Sequence, residues 1–193
     1  MRRAIRRLLT TLVVLVLLLG GAAWWLLSYI APDERLDMRY EPIDVKAKVL
    51  DTAQQLKPEL VLTESDITHL IKKHLQDKYG GGEGGAPMEL AKDVRLDGAD
   101  FQLEEGRLKA RLNVTYKERI PAALDAVYAL EWQPPNIALR PQSLTLKEIG
   151  LPLGLLEPVV VPLDLPLQDV VTVSDVQFQQ DRVKILFKLQ LGL

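Results

Sequence analysis

The sequence contains no cysteine, two histidines and only 6% aromatic residues. Without cysteine there is no disulfide framework, no thiolate zinc site and no lipidated-cysteine anchor. His69 and His74 are five residues apart, about 140° around a helix, so one helix cannot bring both to one metal ion. The serines Ser28, Ser65, Ser143 and Ser174 have no G-x-S-x-G surroundings. Asp66 and His69 fall on adjacent helical turns, an acid–base pair at best, with no nucleophile motif beside them. Gly80–Gly85 lacks the Lys-Ser/Thr of a phosphate loop and the strand that precedes one, so it reads as a linker. Asp164, Asp169 and Asp175 are too scattered for a calcium loop. A surplus of positive charge is also missing. Of 24 basic residues, Arg2, Arg3, Arg6 and Arg7 precede an apolar run, and the other 20 face 26 acidic ones, leaving −6 downstream. A domain of that sign is poorly suited to neutralising phosphates. No enzymatic activity, cofactor, metal or nucleic-acid partner is therefore expected.

What the chain does have is a long uncharged run. Leu8–Ile30 is 23 residues whose only polar members are Thr10, Thr11 and Ser28. As a helix it reaches about 34 Å, enough to cross a hydrocarbon core of about 30 Å with slight tilt. Leu8–Leu19 followed by Gly21-Ala22-Ala23 also imitates a signal peptide cut after Ala23. Trp24, Trp25, Leu26, Leu27, Tyr29 and Ile30 then continue the apolar run, where a mature protein would normally start in polar sequence. The aromatic residues match an interfacial belt, which favours a retained anchor. The four arginines would stay cytoplasmic and the rest would face outward. The expected organisation is a basic tail over 1–7, a transmembrane helix over 8–30, a stalk over 31–43 and an extracytoplasmic domain over 44–193.

Within that domain the hydrophobic period is first helical and then two. Asp44–Lys57 places Val45, Val49, Ala53 and Leu56 at helical spacing, up to Pro58. Leu62–Tyr79 carries Ile67, Leu70, Ile71 and Leu75 on one stripe, and Thr63 with Asp66 forms a capping box. From Ala91 the period changes. Leu108, Ala110, Leu112, Val114 and Tyr116 alternate with polar residues, and Phe101 and Leu103 precede them across Glu104-Glu105-Gly106, predicting a hairpin. Leu124 to Trp132 is a third strand; Ile137 to Leu146 is a fourth, interrupted near Pro141. Val183 to Leu191 is the last. The fold class is α+β, two helices packed on a curved antiparallel meander. Leu151–Val170 is apolar yet holds Pro152, Pro158, Pro162 and Pro166, so it is neither a regular central strand nor a long helix. It either tucks onto the sheet as a crossover or forms a lip over an apolar groove. The outward lysines and arginines of Lys109–Lys117 read as a solvated face, or as a contact for anionic headgroups.

Three stretches carry a resemblance: "LTESDITHLIKKHL", "VRLDGADFQLEEGRLKARLNVTY" and "LRPQSLTLKEIGLPLGLL". Their order behind an N-terminal anchor resembles the YpmS family, small single-pass membrane proteins of Gram-positive bacteria. A helix ahead of an antiparallel sheet is also similar to YceB-type, TULIP-like lipid-binding domains. That likeness implies a groove between helix and sheet for lipid tails, although a second long helix to close a tube is lacking. The residues expected to line such a groove are Leu70, Ile71, Leu112, Val114, Tyr128, Leu130, Leu155 and Val160. Core packing explains each of them as well. The expected function is non-enzymatic binding of a lipid or lipid-linked envelope molecule. The alternative is a scaffold that docks another envelope protein.

Overall fold

The computed structural model describes residues 2–45, 47, 48, 52, 59–80, 88–162 and 171–189. The uncharged run forms one helix, α1 (Arg2–Ile30). No residue of its Leu9–Ile30 part is buried, and that part is long and apolar enough to cross a membrane; a signal sequence near an N-terminus has the same character. Trp25 and Tyr29 stack near its end, with ring centroids 5.6 Å apart.

The alternating stretches form an antiparallel meander whose spatial order follows the chain. Its strands are β2 (Met88–Ala91), β3 (Val94–Glu104), β4 (Arg107–Tyr116), β5 (Ile120–Gln133), β6 (Asn136–Leu146) and β7 (Ile149–Gly150). The expected hairpin is present, with Leu103 opposite Leu108 and Gly106 at φ 68°, a conformation glycine adopts without strain. The register puts alternate residues of neighbouring strands on one inner face. Ala99, Leu112, Leu124 and Leu146 make one row across β3–β6, and Phe101, Ala110, Ala126 and Leu144 make the next.

Two expectations are corrected. The chain does not make a single meander, because the last strand, β10 (Arg182–Leu189), lies between β1 (Glu59–Thr63) and β9 (Val171–Phe178) in a second, three-stranded sheet. The helix expected from Leu62 is α2 (Glu64–Tyr79); Leu62 belongs to β1, fully buried opposite Val183. β6 continues past Pro141 but carries the expected irregularity beside it: Val127 pairs with Ser143 and Tyr128 with Pro141, so Gln142 is bulged out of the ladder. The outer edge of β6 is paired only at 136–139 and 145–146, so the missing amide of Pro141 falls where no strand needs it. The proline-rich segment contributes a short 3-10 turn (Leu153–Leu155) and an edge strand, β8 (Val159–Pro162), on β6. Val45, Ala47, Lys48 and Thr52 are helical. The rest of the Asp44–Lys57 helix, the glycine run past Gly80, residues 163–170 and the end of the last strand fall outside the described residues.

One core joins both sheets and α2. Leu60, Leu62, Val183 and Ile185 from the small sheet meet Leu96, Phe101, Leu108 and Leu144 from the large one, with Ile71 from the helix. The helix starts where the capping box predicts it. The Asp66 amide donates to the Thr63 hydroxyl at 3.3 Å, and the Thr63 amide donates to the Asp66 carboxylate at 2.9 Å.

Asp66 is buried, and burial alone would raise its pKa. The Lys48 ammonium at 2.6 Å and the hydrogen bonds to Thr63 outweigh that, and the carboxyl titrates below its ordinary value. A depressed folded value means that the carboxylate stabilises the domain above its unfolded pKa, near 3.8. That contribution fades as the pH falls through the folded value. Urea midpoints measured from neutral pH down through that window should therefore fall, and Asp66→Asn should flatten this acid limb. An acid limb of equal depth in the variant would assign the effect elsewhere.

Candidate functional site

The eight residues expected to line a groove separate into three groups. Ile71, Leu112 and Val114 are buried in the core; Leu70, Tyr128 and Leu130 are half-buried and pack against it. Leu155 and Val160 are 63% and 48% exposed and do not join them. The reason lies in parity. Val159 and Val161 pair with Leu139 and Ile137 on the inner face, whereas Val160 pairs with Ala138 and faces the other way. Leu155 sits on a turn with no buried residue, while its neighbours Leu151 and Leu156 pack on the core.

The inner face is not uniformly covered. Toward β3 it is covered by α2, and β9 of the small sheet touches β5. Toward β5, β6 and β8 a row of large side chains remains half-buried: Tyr128, Leu130, Trp132, Val159 and Val161. The register aligns them, with Leu130 beside Leu139 and Val159, and Trp132 beside Ile137 and Val161. Trp132, Val159 and Val161 were not among the expected lining residues. Trp132 has the parity of Leu130 in the sequence, but the face presented by β8 is fixed only by its pairing with β6. At one end of the row, Tyr128 is desolvated by burial and lies near Tyr79, which together push its pKa up to about 12. Its hydroxyl is neutral at physiological pH, so the row carries no charge.

The segment expected as a stalk is docked on the domain. Asp33 pairs with Lys147 at 2.5 Å. The Asn113 amide donates to the Glu34 carbonyl at 2.6 Å, and the Ala99 amide donates to the Asp37 carbonyl at 3.3 Å. From α2, Lys72 donates to the Asp37 carbonyl at 2.9 Å, and Gln76 to the Met38 carbonyl at 2.7 Å. The strap, residues 33–39, thus crosses from the β6–β7 turn to the edge of β3 and ties that edge to α2. Glu64 accepts from the Leu103 amide and Thr68 donates to the Phe101 carbonyl, so polar groups of an otherwise open edge are satisfied.

Among the described residues, no three His, Asp or Glu side chains converge on a point that could hold a metal. His74 is half-buried, and burial followed by the nearby Lys78 charge lowers its pKa. Compared with protein-family models, curated proteins and solved structures, the chain matches none.

Proposed function

We propose that the chain is a single-pass membrane protein whose domain holds the acyl part of a lipid or lipid-linked envelope molecule on its inner face. In this reading α1 is a retained anchor, the N-terminal arginines are cytoplasmic and the domain is extracytoplasmic. Its work is apolar contact without bond-making. The observation that carries the reading is the uncharged, half-buried row Tyr128, Leu130, Trp132, Val159 and Val161 on a domain joined to a helix long enough to span a bilayer. Each methylene fully buried along this row contributes about 0.8 kcal/mol, so binding needs most of a long acyl chain to be covered. Ligand sites of this kind are mostly apolar with few polar groups, which fits a row whose polar atoms are the Tyr128 hydroxyl and the Trp132 indole.

The full chain, purified, washed in detergent and extracted with solvent, should retain about one lipid beyond the amount retained by α1 fused to an unrelated soluble domain. Leu130→Asp, which puts a charge in the row, should reduce the excess severalfold while leaving the fold intact. Equal lipid on the native chain and the fusion would refute the proposal. The exposed Leu155 and Val160 support a second reading, a surface for another envelope protein. Crosslinking in cells to one stoichiometric protein, with no retained lipid, would favour it.

A further inference from the structure

One end of the large sheet lies beside the end of α1. Asp33, three residues beyond Ile30, pairs with Lys147 in the β6–β7 turn, and α1 touches β5. Three residues span at most about 10 Å, so this turn stays close to the helix end. β4 and β6 both run antiparallel to β5, so the β4–β5 turn, Lys117–Arg119, lies at the same end. The β2–β3 turn with Lys92 and Asp93 does too. Lys117, Glu118 and Lys147 adopt φ of 48°, 56° and 53°, which makes the chain reversals tight.

Two features of this end bear on what it faces. It exposes large apolar groups at its rim: Tyr116 is 41% exposed and Ile149 52%. The Lys117 ammonium lies 5.2 Å from the centre of the Tyr116 ring, an aromatic and a cation placed together as at a membrane interface. Its charge is also balanced. Lys92, Lys117 and Arg119 stand against Asp93, Glu118 and Glu148, and Lys147 is neutralised by Asp33. The chain beyond the N-terminal arginines carries −6, so this is a face that can approach an anionic surface without net repulsion.

We propose that this end of the sheet rests on the bilayer that α1 enters, with Tyr116 and Ile149 seated in the headgroup layer. The inference rests on the reading of α1 as a retained anchor. The strap then acts as a brace that holds the sheet upright, with the β3–β4 turn at Glu105 pointing away from the membrane.

The cysteine-free sequence makes the test direct. Single cysteines, Ile149→Cys and Glu105→Cys, are labelled with an environment-sensitive fluorophore. Each full-length chain is then reconstituted into vesicles of phosphatidylcholine and phosphatidylglycerol containing a headgroup nitroxide quencher. The label at 149 should be blue-shifted and quenched severalfold more than the label at 105. Carbonate washing of the same vesicles reports separately on the anchor. Chain that stays in the pellet with neither label quenched, or with both quenched alike, overturns the inference and leaves the anchor standing. Chain released by carbonate removes the anchor and the inference with it.

Discussion

Gly98→Ala should lower the stability of the domain by about 2–4 kcal/mol and expose residues 33–39 to proteolysis. In a strand, replacing glycine by alanine ordinarily stabilises by about 0.5–1 kcal/mol, because the unfolded chain loses freedom. The sign reverses here because of what a Cβ meets. It would overlap the Leu36 carbonyl and come within 2.8 Å of the Asp37 amide nitrogen. These are backbone atoms that cannot rotate away, so the strap itself must lift. Lifting it breaks the Ala99–Asp37, Asn113–Glu34 and Lys72–Asp37 hydrogen bonds together. Asn113 is buried, so its amide would lose its partner without full access to water, at about 1–3 kcal/mol. Urea melts together with limited proteolysis decide the matter. A variant as stable and as protease-resistant as the native chain would show that the strap is not seated on the sheet.

Ile185→Ala should cost still more, about 3–5 kcal/mol, from lost transfer energy and the cavity left behind. Ile185 is fully buried in the central strand of the small sheet, between Leu60 and Val176. Its neighbours are pinned by ladder pairing on both sides, so the site has little freedom to collapse. Domains of this size are stable by about 5–15 kcal/mol, and the loss takes a large share of that. The variant should show a much lower denaturation midpoint. A loss under about 1 kcal/mol would mean that the small sheet does not close the core.

The parts of the fold legible from residue types are those in which side chains carry the signal. The β3–β4 hairpin follows from unbroken alternation, and the start of α2 follows from Thr63 and Asp66. Of the small sheet only the last strand, β10, was legible. β9 carries a bulge between its pairings of Val173 with Phe187 and Asp175 with Leu186, so its apolar residues change parity midway. β1 is five residues long and runs directly into α2, too short for a period to register. The strap was illegible for a different reason. It is held largely through the carbonyls of Glu34, Asp37 and Met38, and main-chain groups leave no trace in residue identity. The candidate site shows the same division. Tyr128 and Leu130 were readable from the parity of β5, while the choice between Val160 and its neighbours Val159 and Val161 depended on a register set by β6.

The claim on which the rest depends is that the half-buried inner row touches acyl chain. A lipid bearing a photoreactive diazirine far along its tail tests this in the reconstituted full chain, with labelled peptides identified after digestion. Label on α1, together with label on the peptides containing Tyr128–Trp132 and Val159–Val161 that Leu130→Asp removes, is the predicted result. Label confined to α1 would contradict it.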